Sequence, residues 1–272
     1  MSRDRKLPAS PMDELRQNLE GLGLLATLAC LDPAIEQAQT LGQGYVSFLS
    51  GLINQEVMAR AESATRRRLK ASELPAVKTF DTFDWTFQPG LNVQLAKDLM
   101  NLEFIRQKRP LLILGRAGTG KTHLSLAYGH LAVLAGYSVR WFSVSKLLEK
   151  LFASLADNTV DRLIARLSRV DLLILDDLRQ VPPRPEYASL LFDLIETRHQ
   201  KHAIVVSSNL SVDAWGRVLG NPALTSPLVD RLMERAHVLN IRRGRSYRTQ
   251  GPDAPPESDR PSEIADAADE PV

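Results

Sequence analysis

Cysteine is almost absent: Cys30 is the only one in 272 residues, so no internal disulfide can staple the fold. Its apolar neighbours predict a buried thiol. Long hydrophobic runs are missing as well. Stretches such as Leu111–Leu114 and Leu172–Leu175 fall far short of the ~20 apolar residues that cross a bilayer. The charged residues 1–10 lead into no apolar segment of the kind a secretory signal carries. No internal repeat is visible. These absences predict a soluble cytoplasmic protein without a membrane partner.

What is present is an ordinary globular composition, 44% hydrophobic and 24% charged, with room for one large domain or two small ones. The net charge of +2 conceals an asymmetry. Residues 249–272 hold seven acids and one base, a net of −6 that leaves +8 on residues 1–248. With five prolines and no aromatic residue, this stretch cannot bury enough surface to offset its ordering entropy, and it reads as a disordered acidic tail. The basic remainder favours an anionic partner such as nucleic acid.

Ser10-Pro11 followed by Asp13 predicts a helix start, with Leu15, Leu19 and Leu22 recurring at helical spacing. Asp32-Pro33 repeats the device and predicts a second, short helix closed by Gly42. A longer helix runs from Tyr45 to about Lys70 and ends in the basic run Arg66-Arg67-Arg68-Leu69-Lys70. Pro75 breaks it, and Phe80, Phe83, Trp85 and Phe87 mark an extended aromatic stretch. Residues 1–75 therefore read as a small all-helical domain and 76–248 as a second domain. In the second, apolar strands are expected at 111–114, 138–144, 172–175, 203–207 and 237–241, separated by helical patterns. That alternation predicts an α/β fold with a five-stranded parallel sheet flanked by helices.

Gly115-Arg116-Ala117-Gly118-Thr119-Gly120-Lys121-Thr122 fits the phosphate-loop pattern, directly after a strand and opening a helix. Glycines let the backbone curl into a nest of N–H groups around a phosphate. Lys121 would reach the β- and γ-phosphates, and the Thr122 hydroxyl would ligate Mg²⁺. A second apolar strand ends in Asp176-Asp177. Asp176 would hold Mg²⁺, largely through water, and Asp177 would polarise the attacking water. A strand and two helical segments separate Lys121 from this pair, implying a further strand between the two motif strands, as in the additional-strand class of P-loop ATPases.

Asn209 ends another apolar strand and is suited to orienting the water beside the γ-phosphate. Arg231 follows a helix opened by Pro227 and could act as an arginine finger on a neighbouring subunit's nucleotide; an intrachain ion pair is its plainer role, with Arg235 as rival finger. Two basic clusters could meet DNA phosphates: Arg66, Arg67, Arg68 and Lys70, and Arg242, Arg243, Arg245 and Arg248. No base-reading motif accompanies them, so binding to double-stranded DNA should be sequence-tolerant and steeply salt-dependent. Phe83 and Trp85 could lie near a base or simply pack a core.

With these residues in hand, the chain resembles the IstB family of insertion-sequence ATPases, within the AAA+ branch that includes the DnaC helicase loader. The resemblance rests on the loop continued by His123-Leu124, the Asp176-Asp177 strand end, Ser207-Ser208-Asn209, Trp215-Gly216 and Ser246-Tyr247-Arg248. It runs from about Met12 to Arg248. It implies a helical N-terminal domain, an AAA+ domain without the usual C-terminal lid, ATP bound by residues 115–123 and Mg²⁺ held by Thr122 and Asp176. It further implies Lys121, Asp177, Asn209 and Arg231 as catalytic residues. Most AAA+ proteins carry Glu at the Asp177 position, and the prolines of Pro182-Pro183-Arg184-Pro185 and the acidic tail are not part of the pattern. Three functions fit. One is an ATPase that forms homo-oligomers on DNA and recruits or activates a transposase. The others are a loader of a replicative helicase and a nucleotide-switched DNA scaffold with negligible turnover.

Overall fold

A computed structural model describes residues 10–179, 184–215, 222–241 and 244–251. The chain divides into two compact units, Met1–Arg67 and Arg68–Val272.

The first unit holds α1 (Pro11–Gly21), α2 (Leu25–Leu41) and most of α3 (Tyr45–Ser72). Ser10 caps α1 by accepting the Asp13 N–H at 3.1 Å. The expected helix start at Asp32-Pro33 is not found: α2 begins at Leu25 and carries Pro33 inside it. The cap for α2 comes from α3, where the Glu56 carboxylate accepts the N–H groups of Ala26 at 2.9 Å and Thr27 at 3.1 Å. Arg60 and those two donors hold the buried Glu56 carboxyl below its usual range, against the opposing pull of burial. Asp32, freed from capping, pairs with Arg16 at 2.8 Å. Gly42 does close α2, in the left-handed conformation. Cys30 is only partly buried, its Sγ turned to the Thr27 carbonyl of its own helix.

In the second unit the aromatic stretch is not extended but folds into successive turns. The Asp84 carboxylate organises one of them by accepting from the N–H groups of Thr86 and Phe87 and from the Thr86 hydroxyl. Short helices α4 (Val93–Asp98) and α5 (Glu103–Arg106) lead into β1 (Leu111–Gly115). There follow α6 (Lys121–Leu134), β2 (Val139–Ser143), α7 (Val144–Ala153), α8 (Val160–Ser168) and β3 (Leu172–Asp176). The chain continues through α9 (Pro185–Arg198), β4 (Ala203–Ser208), α10 (Pro222–Met233), β5 (His237–Ile241) and α11 (Tyr247–Gln250). Pro227 lies inside α10 and does not open it, since the helix already begins at Pro222.

The five strands form one parallel sheet in the order β2-β3-β4-β1-β5. Leu111 faces Val205 on one side and His237 on the other, so β4 lies between the two motif strands. Alternate side chains feed two cores. Leu112, Leu114, Leu173, Leu175, Ile204 and Val206 meet α7 to α10 on one face. Leu111, Ile113, Leu172, Ile174, Ala203 and Val205 meet α4, α5 and α6 on the other. The Tyr128 hydroxyl of α6, buried there, donates to the Ala96 carbonyl of α4 at 2.6 Å. Among the described residues only the four-residue α11 follows β5.

Candidate nucleotide site

A parallel sheet leaves its ligand cleft at the carboxyl ends of its strands. Here β1, β3 and β4 end side by side around a cleft of roughly 830 Å³. It is lined by Ala117 to His123, by Asp176, Asp177 and Asn209, and by Phe83, Phe87 and Tyr247.

The loop between β1 and α6 makes its turn with two left-handed glycines, Gly118 at φ +77° and Gly120 at φ +91°. Neither could carry a side chain cheaply. A Cβ on Gly118 would stand 2.2 Å from Ser246 Oγ, and one on Gly120 would stand 2.7 Å from the Phe83 ring. Inside the loop, Thr119 Oγ1 and Lys121 Nζ both donate to the Arg116 carbonyl, at 2.9 and 2.8 Å. His123 Nε2 lies 2.9 Å from the Thr79 carbonyl. Burial, aided by Lys78, pushes its pKa below the usual histidine range against that hydrogen bond.

The acid pair sits against this loop. Thr122 Oγ1 donates to Asp176 Oδ2 at 2.9 Å, and Ser207 Oγ donates to Oδ1 at 2.5 Å. Burial raises the Asp176 pKa, opposed by these two hydrogen bonds. Asp177 adopts a left-handed backbone, φ +62°, which turns the chain out of the strand. Its N–H donates to Ser207 Oγ at 2.9 Å, and its carboxylate pairs with Arg179 at 2.9 Å. Asn209 reaches the cleft from the end of β4 with an exposed side chain.

Arg231 does not line this cleft. It sits on α10, donates through Nε to Glu196 of α9, and lies 5.4 Å from the Phe192 ring. With Arg235 it borders a smaller cavity, about 220 Å³, near Pro110 and His202 at the opposite end of the sheet. Trp85 packs into the core beside Phe80 and Phe83, whereas Phe83 and Phe87 reach the cleft. On α3, Arg66, Arg67 and Lys70 are exposed, Arg68 is half-buried, and Arg66 pairs with Glu62 at 2.8 Å. Arg242, Arg243, Gly216, Pro182, Pro183 and the acidic stretch beyond Gly251 lie outside the described residues.

Ser207 and Arg179 were not singled out from sequence as site residues. Ser207 was legible only as part of a polar strand end, because its role depends on β4 lying next to β3. Its hydroxyl satisfies Asp176 and the Asp177 N–H at once. Ser207→Ala is therefore expected to cost about 2 kcal/mol of stability, since a buried carboxylate loses a donor. Urea denaturation measures this, and a loss below about 0.5 kcal/mol would show that the hydroxyl holds neither group.

Comparison with known proteins bears on the family and the fold. The ATP-binding protein of insertion sequence IS21 from Pseudomonas aeruginosa is 35% identical over 237 residues, covering 87% of this chain and 89% of that one. The corresponding IS5376 protein of Geobacillus stearothermophilus is 31% identical over 213 residues, covering 78% and 84%. AMPPCP-bound DnaA from Aquifex aeolicus superposes with a TM-score of 0.51 at 23% identity, over 61% of this chain and 51% of that one. DnaI superposes with a TM-score of 0.51 at 19% identity, over 60% and 90%. These likenesses establish the AAA+ P-loop fold. Residues 17–253 match the family described as IstB-like ATP binding protein, and the chain belongs to it.

Proposed function

We propose that this protein is a Mg²⁺-dependent ATPase that assembles into homo-oligomers on double-stranded DNA in its ATP state and recruits or activates a transposase, hydrolysis resetting the assembly. The observation that carries the reading is the contact of Thr122 with Asp176 beside the glycine-turned loop. A hydroxyl and a buried carboxylate held together next to a phosphate nest are the donor set a hard divalent cation takes. Mg²⁺ bound there would neutralise charge on the β- and γ-phosphates.

In this reading the loop N–H groups and Lys121 bind the triphosphate, Asn209 orients the attacking water, and Asp177 accepts its proton. Arg231 completes a neighbour's site, which requires it to exchange Glu196 for phosphate. The exposed Arg66, Arg67 and Lys70 support contact with DNA phosphates. The relatives' insertion-sequence names favour a transposase over a replicative helicase as partner, met by the N-terminal helical domain, residues 1–75.

The Arg179–Asp177 pair favours one alternative, a DNA-bound switch with little turnover, because a carboxylate engaged by a guanidinium must give up that partner before it can reach a water. Phosphate release at steady state, with and without plasmid DNA, separates the two. DNA should raise turnover, and Asp177→Asn should remove it while Mg·ATP still binds. Equal rates for Asp177→Asn and wild type would move the catalytic role elsewhere or establish the switch. Co-purification with transposase, and not with replicative helicase, is the expected partner result.

A further inference from the structure

The segment after β5 lies on the phosphate loop. The Tyr247 N–H donates to the Gly118 carbonyl at 2.9 Å. A Cβ on Gly118 would press on the Ser246 side chain, so the two segments are in close contact. The segment is anchored independently, because the side chain of buried Gln88 donates to the Arg245 carbonyl at 2.8 Å. The Tyr247 ring packs edge-on against Phe87 with centroids 4.9 Å apart. Two anchors from the turns before α4 therefore hold a strap across the glycine-rich loop.

A trans peptide points its C=O and N–H in opposite directions. The bond from Tyr247 fixes the direction of the Gly118 carbonyl, and the same peptide plane then sets the direction of the Thr119 N–H. Gly118, with no Cβ and a left-handed backbone, has little intrinsic resistance to rotation of that plane. Something outside the loop must fix it.

Resting on the ATP-site reading above, we propose that the segment Gly244–Gly251 is a clasp whose Tyr247 N–H holds the Gly118–Thr119 peptide in its phosphate-binding orientation. Tyr247 is thus a positioning residue, acting through its backbone. The coupling is reciprocal. Bound phosphate holds the clasp down, and a partner that lifts the clasp loosens the nucleotide.

The test uses the full-length chain and fluorescent ADP with Mg²⁺. Tyr247→Pro removes the N–H and sets its Cδ against the Gly118 carbonyl, so the contact cannot form, while the local backbone accepts the residue. Tyr247 is the first residue of α11, where proline is favoured, and Ser246 before it is extended at φ −79° and ψ 115°. Tyr247→Ala removes the ring but keeps the N–H, so ring loss is common to both variants and their difference reads the loss of the Tyr247–Gly118 contact. Tyr247→Pro is expected to bind about tenfold more weakly than Tyr247→Ala, the scale of one hydrogen bond to a charged group. Equal affinities would overturn the clasp.

Hydrogen exchange in the wild-type chain gives a second reading that needs no variant to fold. ADP should slow exchange of the Tyr247 amide several-fold, and no slowing would also overturn the inference. A wild-type chain that binds no nucleotide would instead fail the ATP-site reading, and the clasp with it. Wild-type binding with equal variants fails the clasp alone.

Discussion

Lys121→Ala is expected to weaken ATP binding about a hundredfold or more, because the ammonium is a point charge set against the triphosphate. Lys121 is 8% exposed and its Nζ reaches the Arg116 carbonyl across the loop, so it is already drawn into the concave side of the turn. Its ammonium reaches a polar loop carbonyl and packs no apolar core, so the melting temperature should change little. Isothermal titration together with a thermal melt reads both quantities. An unchanged affinity would remove the nucleotide assignment of the cleft altogether.

Arg231→Ala is expected to leave ATP binding nearly normal while lowering turnover about a thousandfold, the lower end of what finger arginines contribute. Within one chain the Arg231–Glu196 pair is partly exposed, 31% and 45% at the two side chains, so its loss costs little stability and the variant should fold. Action between subunits gives a distinctive result on mixing. Lys121→Ala retains its finger and Arg231→Ala retains its phosphate loop, so a mixed assembly should recover activity that neither has alone. Co-assembly without recovery would make Arg231 an intrachain residue paired with Glu196 and leave Arg235, which borders the same cavity, as the next candidate.

The sheet and the loop were legible because their causes are local. Leu111–Leu114 and Leu172–Leu175 are buried on both faces and so carry no polar residue, and the glycines at 118 and 120 stand where the backbone turns left-handed. The gathering of the loop with Asp176, Asp177 and Asn209 about one cleft followed from strand ends and chain order. What escaped depends on residues far apart in sequence. The start of α2 is set by Glu56 on another helix, so Asp32-Pro33 gave a false start. The turns near Phe83 are organised by Asp84 and by packing, where aromatic spacing alone suggested extension. The hold of Ser207 on Asp176, and of Tyr247 on Gly118, needed the strand order and the final strand's exit to be known.

The position of β1 has a consequence for biosynthesis. The strand that carries the phosphate loop emerges from the ribosome long before either of its sheet neighbours, since Leu111 pairs with Val205 and His237. Until β4 and β5 arrive, both edges of β1 stand open, and pairings of such long range close slowly. Tyr247 arrives later still. A nascent chain therefore completes this cleft only once β4, β5 and Tyr247 have all been made, well after the helical unit. In the interval the helical unit is exposed without a finished ATP site, so a partner that meets it on the ribosome meets a nucleotide-free protein.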